Sequence, residues 1–394
     1  MSQTRRTISR AATAAIATGV GLSFLAACGS SSSSDSAGSA AKDDSASAAG
    51  VATAKKDIAQ VQDPITSWPA VTPIAKPVDL HGKRITLVPL GTNIPVINGS
   101  TNAVKTALTH MGASVNICDG KFDPSAVSSC LRQAQTDKVD AVMSLFVDYK
   151  MAPNSFDAVQ KAGIPVLVAN EPPSPGKQIT SNFAFFDNSE TVVQNMQKLS
   201  EVALADKGTD ANALWLTLTD SPTTVKSTSA GVDEFKKLCP TCGLATTSFT
   251  TANLDKLPSA VSAALVSHPK TNVVIVPVDS FVSAATQGVQ SAGYTNKVEV
   301  VSASGALDAL QRVKSGTLAH DFGTSVVYEG YTMANAMVQL LSGEKVTPDT
   351  HSVTRDFNKD NVADLPLTTA AYNTPQWYGN DSFEQAFYKA WGEK

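Results

Sequence analysis

The chain has 394 residues, 42% of them apolar and 17% charged, with a net charge of −4. This is enough apolar material for a large core, which excludes overall disorder and suggests two medium-sized domains. No long basic block follows the first ten residues, so there is no broad electrostatic reason to bind nucleic acid or an anionic membrane surface. A small molecule or a protein remains as the partner.

Arg5, Arg6 and Arg10 precede the apolar stretch AATAAIATGVGLSFLAA, which ends at Cys28. A basic start followed by an apolar run reads as a targeting segment, here too short and too rich in alanine and glycine to be a membrane span. LAAC after the basic region resembles the lipobox of bacterial lipoproteins. That resemblance implies that residues 1–28 are a signal peptide, that Cys28 is lipidated, and that the protein is exported and held at the outer face of the cytoplasmic membrane. TRRTISR is also similar in part to a twin-arginine export signal, which leaves the export route open between that and Sec. Residues 29–80 are rich in Ser, Ala, Gly and Asp and then punctuated by proline in DPITSWPAVTPIAKPVD. With so few apolar side chains to offset the entropy of ordering, they are expected to form a flexible tether.

In an oxidising compartment the other four cysteines are expected to pair locally, Cys118 with Cys130 and Cys239 with Cys242. CPTC at 239–242 could instead be a redox pair or half a zinc site. The zinc reading lacks a second ligand pair, and the redox reading lacks a preceding strand because Cys239 ends a predicted helix. No metal site and no cofactor are expected.

From residue 84 short β-branched runs alternate with helix-period segments, the pattern of parallel α/β sheets. The predicted strands are ITLVPL (85–90), SVNIC (114–118), AVMSLFV (141–147), PVLVAN (165–170) and NFAFFD (182–187). A second series is ALWLTLT (213–219), GLATTSF (243–249), NVVIVPV (272–278), VEVVSA (298–303) and LAHDFG (318–323). Between them, Ala103, Val104, Ala107, Leu108 and Met111 make one apolar helix face. Ala126, Val127, Cys130, Leu131 and Ala134 make another, which places Cys130 near the strand ending at Cys118.

The two series share landmarks. Pro-Ser-Ala-Val-Ser begins at Pro124 and again at Pro258, an apolar strand then ends in Val-Asp at Asp148 and Asp279, and a helix runs to Ala-Gly at 162–163 and 292–293. A duplicated α/β lobe accounts for the shared order better than chance similarity of two helix starts. Two doubly wound lobes in series imply a cleft, with ligands beyond the carboxyl ends of the strands.

From about Lys83 to Leu365 the order of elements resembles the type I periplasmic binding proteins of the ribose- and galactose-binding branch. The matching stretches are KRITLVPL with the Asn93-to-Pro95 loop, AGIPVLVAN, FFDNSETV, SAGVDEFKKL, SHPKTNVVIVPVDSFVSAATQGVQSAG, LQRVKSGTLAHDF and VVYEGYTMANAMVQLLSGEKV. The resemblance implies two doubly wound parallel-sheet lobes joined by a three-crossing hinge, with crossings near Asp187 to Asn188, Gly323 to Thr324 and about residues 348–352. The lobes would be 81–187 plus 324–350, and 188–323 plus 351–394 with a C-terminal extension. It also implies a monomer without catalytic chemistry that hands a captured solute to an ABC permease in the membrane. Repressors carry similar lobes, but they need an N-terminal DNA-binding motif where this chain has an export signal.

Several sugar-binding groups of that family are replaced here. Val96 and Ile97 stand for an aromatic pair, Thr228 for an arginine, Ser304 for an aspartate and Gly323 for an amide, and Glu171 follows Asn170 where a basic residue is usual. The polar candidates for ligand contact are Asn93, Asp148, Asn170, Glu171, Asp220, Thr228, Asp279, Ser304 and Asp321. Asp220 and Asp279 would serve equally as turn or helix caps. Phe146, Tyr149, Phe186, Phe281 and Phe322 are candidate stacking rings. Two alternatives stay open: a sensor module for a membrane receptor, and a redox protein using Cys239 and Cys242. The aromatic C-terminal segment is expected to pack on the second lobe or near the hinge.

Overall fold

A computed structural model describes residues 35–347 and 353–393; Cys28, the export signal and the third expected crossing at 348–352 lie outside them. Residues 42–394 form one unit, and of residues 1–41 only the beginning of a helix is described.

That helix, α1 (Asp35–Ala59), replaces the expected tether. Alanine-rich sequence has high helix propensity, and Val51, Ala54 and Ile58, spaced by three and four residues, are buried in a core shared with Phe235 and Leu238. Ser47 Oγ accepts hydrogen bonds from the backbone N–H and the hydroxyl of Thr241, at 3.3 and 2.9 Å. Residues 60–80 are also docked. Asp356 N–H donates to Val61, Ile65 pairs with Gly379, Trp68 stacks on Tyr328 at 4.8 Å, and Ile74 N–H donates to Ala390.

The first sheet is built from β1 (Arg84–Pro89), α2 (Pro95–His110), β2 (Ser114–Ile117), α3 (Pro124–Thr136), β3 (Ala141–Leu145), α4 (Pro153–Lys161), β4 (Val166–Ala169) and β5 (Phe183–Phe186). Next come α5 (Ser189–Lys207), β6 (Asn212–Leu218), α6 (Pro222–Leu238), β7 (Gly243–Phe249), α7 (Leu257–Ser267), β8 (Val273–Ile275), α8 (Val282–Ser291), β9 (Glu299–Ser304), α9 (Leu307–Ser315) and β10 (His320–Thr324). The chain ends with α10 (Val326–Ser342), β11 (Thr354–Asn358), α11 (Thr369–Tyr372) and α12 (Ser382–Ala390). Strand orders are β2-β1-β3-β4-β5 and β7-β6-β8-β9-β10-β11, so the two sheets repeat one doubly wound order. All pairings are parallel except that of β11 with β10.

The connections fix three passages between sheets. After β5 the chain enters α5, which packs against β9 and β10; after β10 it enters α10, which packs on α2, β4 and β5; and β11 rejoins the second sheet. The disulfides are Cys118–Cys130, linking the end of β2 to α3, and Cys239–Cys242, closing the turn after α6 beneath α1. The C-terminal segment, expected on the second lobe or near the hinge, has two parts: Tyr378 packs on Phe357 of β11 and against Gly323. Its α12 packs on α10 of the first lobe, where Tyr388 stacks on His110 at 3.8 Å and hydrogen-bonds Tyr331. The cause is the apolar stripe Phe383, Phe387 and Trp391, which meets Tyr331 in a continuous aromatic cluster.

Candidate functional site

The carboxyl ends of adjacent strands gather the first group of polar residues. β3 leaves its sheet at Phe146 and β4 at Asn170, both with left-handed backbone (φ 60° and 61°). Such a conformation is strained for a residue with a bulky side chain and is found where a loop must turn sharply, often at a site. Both turns are held by backbone hydrogen bonds to the neighbouring strand, from Phe146 N–H to Ala169 and from Asn170 N–H to Phe186. The turn at Asn170 sets Glu171 between the strand ends carrying Asp148 and Asp187. Burial first, then the negative charges of Asp148 and Asp187, push the Glu171 carboxyl up to about 7. Asp148 is exposed and its carboxylate accepts the Lys150 N–H at 2.8 Å. Asn93, beyond β1, is exposed. Tyr149 instead belongs to a side cluster: its hydroxyl donates to Asp157 at 2.9 Å and Lys177 lies over its ring.

On the second sheet Asp220 follows β6 and accepts the Thr251 N–H at 2.9 Å and also its hydroxyl; those bonds lower its pKa. Asp279 is buried and accepts from Ser302 Oγ at 2.7 Å and the Ala306 N–H at 2.9 Å. Burial outweighs both bonds and raises its carboxyl to about 6. Asp321 faces Ser302 across the β9–β10 register, is fully buried, and neither of its oxygens has a partner at hydrogen-bond geometry. Burial first, then the adjacent Asp279, raise its pKa well above the usual range. Ser304 ends β9, half-buried. Thr228 is buried on α6 with an unpartnered hydroxyl.

Three of the candidate rings do not reach the cleft. Phe322 points to the α5 side of its sheet and is fully buried. Phe281 packs edge-on against Phe249, with ring centroids 4.9 Å apart, in the second-sheet core. Phe186 lies against a cavity of about 450 Å³ walled by Pro69, Tyr328 and Phe387. Strand alternation and helix packing bury these rings, whereas Phe146 stays half-buried at its turn.

Near the crossings lie groups that sequence reasoning did not assign to the site. Asn188, in the first crossing, donates to Glu329 Oε1 at 3.3 Å, and Ser100 of α2 donates to Glu329 Oε2 at the same distance. Burial raises the Glu329 carboxyl to about 7. Tyr378, from the C-terminal segment, sets its hydroxyl against Gly305 and Gly323, leaving no room for a side chain at either glycine. The sequence signal was the aromatic content of that segment, which gives no position. None of Asp148, Glu171, Asp187, Asp279, Asp321 and Glu329 makes an ion pair among the described residues. Among those residues, no group of three His, Cys, Asp or Glu side chains is arranged to hold a metal ion.

No curated protein sequence is significantly similar to this chain. Solved structures are. A periplasmic ribose ABC transporter protein from Conexibacter woesei is 16% identical with a TM-score of 0.63, covering 77% of this chain and 99% of its own. An ABC transporter solute binding protein from Agrobacterium vitis with bound allitol is 21% identical with a TM-score of 0.56, covering 72% and 97%. The solute binding protein of a 5-methylthioribose transporter from Thermotoga lettingae is 15% identical with a TM-score of 0.58, covering 82% and 100%. At these identities the likeness is one of fold. The model of the periplasmic binding protein domain matches residues 85–345, which span β1 to α10 and the first two passages between the sheets, and the chain belongs to that family.

Proposed function

We propose that this protein captures a small polyol or sugar-like solute between its two lobes, outside the cytoplasmic membrane, and delivers it to an ABC import permease. The observation that carries this reading is the pair of repeated parallel sheets, joined by crossings, with exposed or half-buried polar residues following the carboxyl ends of their strands. Closure about such crossings surrounds a solute and exchanges its water for matched donors and acceptors. We assign solute contacts to Asn93, Asp148, Asn170 and Glu171 on one lobe and to Asp220 and Ser304 on the other, with Phe146 as the accessible ring. No role in this reading calls for a reacting group. Cys28 would carry the lipid that holds a monomer at the membrane.

The buried Cys239, at the carboxyl end of α6 and covered by α1, favours a structural disulfide over a redox centre, because reactive cysteine pairs use a helix amino end and exposure. The test is a thermal-shift screen of the full chain against sugars, polyols, nucleosides, amino acids and aromatic acids. A bound solute at 100 times its Kd adds about 2.7 kcal/mol. A rise in melting temperature confined to sugars or polyols supports the reading; no rise with either class sinks it.

A further inference from the structure

The first sheet runs β2-β1-β3, so its order reverses at β1. Ligands of open parallel sheets bind outside the carboxyl ends of the strands at such a reversal. There the loops leaving β1 and β2 are stitched together. Gly120 N–H donates to Pro89 at 2.9 Å and Phe122 N–H to Leu90 at 2.7 Å, while Leu90 N–H donates across to Leu145 of β3 at 2.9 Å. The Asp119 carboxylate accepts the Thr92 N–H at 3.2 Å, the Thr92 hydroxyl at 2.9 Å and the Lys121 N–H at 3.0 Å. The Cys118–Cys130 bond ties the same loop to α3.

This rigid loop carries an aromatic ring into water. Phe122 is 44% exposed, and Ile94 of the neighbouring loop is exposed too. Ring carbons of Phe122 occupy the place where a side chain on Gly91 would begin, so the ring rests on the backbone leaving β1 and that position admits only glycine. Lys121 and Phe122 both have left-handed backbone, φ 51° and 54°, which is unfavourable for any residue with a side chain. Burial of a ring in the core would offset that strain, but nearly half of this one stays exposed. Strain without a matching gain in packing concentrates at ligand sites. By strand order Phe122, on the β2 side, and Phe146, on the β3 side, flank the exit of β1, and Asn93 lies in the loop between them in sequence.

We propose that Phe122 is a specificity-determining residue of the solute site, its exposed ring the stacking surface for the apolar face of a cyclic solute. This rests on the capture reading above and narrows it to ring-form sugars and cyclitols over open-chain polyols. A closed ring presents its C–H groups as one preformed face that covers an aromatic surface in a single contact. An open-chain polyol must freeze several torsions to present the same face, and that ordering weakens binding.

The test is calorimetric titration of the full chain, of Phe122→Ala and of Phe122→Trp with ribose, allose, myo-inositol and allitol, together with the melting temperature of each protein without solute. Wild type should bind one of the three ring solutes at least about tenfold tighter than allitol. Phe122→Ala should weaken that solute about fivefold to tenfold at an unchanged melting temperature, and Phe122→Trp, which keeps a stacking face, should retain the affinity. Wild-type affinity in Phe122→Ala overturns this inference and leaves solute capture standing. So does a loss that comes with a lowered melting temperature, which makes Phe122 a residue of the fold, or a loss that is as large in Phe122→Trp. Allitol bound as tightly as the ring solutes overturns the preference for a closed ring. A wild-type chain that binds none of the four overturns the capture of this solute class itself.

Discussion

His320 Nδ1 lies 2.8 Å from Oδ1 of the fully buried Asp356. Its other ring nitrogen is 3.1 Å from Asp206, so both nitrogens donate and the imidazolium form is favoured. Although burial opposes the charge, the hydrogen bonds and charges of Asp206 and Asp356 raise its pKa to about 10. An unfolded histidine titrates near 6.5. The folded state therefore holds the extra proton, and the contribution is complete below pH ~6.5 and lost as pH rises through ~10. Asp206 is partly exposed, which screens some of the gain. Urea unfolding should show about 2 kcal/mol of decline between pH 6.5 and 10, and His320→Gln should flatten that slope. An unchanged slope in the variant would remove this origin.

Glu171 titrates with the opposite chemistry but the same sign. Its folded pKa of about 7 lies above the ordinary glutamate value of 4.5, so the folded chain binds the extra proton between those values and stability falls as pH rises through them. Glu171→Gln keeps the shape without the charge. It should raise stability at pH 8 by about 1–2 kcal/mol relative to wild type, with no gain at pH 4. Denaturant midpoints at the two pH values decide this; an equal effect at both would exclude the buried Glu171 charge as the cause.

If α1 is part of the folded body, its apolar stripe must contribute to stability. Ile58 is buried in the core with Leu238, and Ile58→Ala should lower unfolding free energy by about 2–3 kcal/mol. A freely moving tether would give no change.

The Cys118–Cys130 bond closes a loop of sequence separation 12, and Cys239–Cys242 one of 3. Constraint of the unfolded chain grows with loop length, so Cys118→Ala with Cys130→Ala should destabilise by about 3 kcal/mol and the second pair by less. Differential scanning calorimetry with and without reductant would show the ranking.

The repeated strands were legible because alternating β-branched runs and apolar helix faces are local signals: GLATTSF forms β7 over its full length. β11, TRDFN, was missed because its partners are remote. Arg355 donates to the carbonyls of Gln62 and Trp377, and Asp356 is bonded to Gln62 and His320. Helix α1 escaped for the same reason, since three modest apolar residues gain their value only against Leu238 and Phe235. In the site, the strand-end placement of Asn170 and Glu171 follows from counting along one strand. Whether Phe322 faces a core or a cleft depends on which side of its sheet α5 covers, and the approach of Tyr378 to Gly305 and Gly323 depends on a chain reversal far from them in sequence.

The stretch from Gln62, bonded to Asp356 on the second lobe at 3.0 Å, to Trp68, stacked on Tyr328 of the first, is very short. Six residues reach at most about 21 Å when fully extended. If the lobes part as solute capture requires, this stretch is a check-strap: while both ends hold, it caps how far the jaws open, and the indole of Trp68 is a built-in fluorophore for watching them.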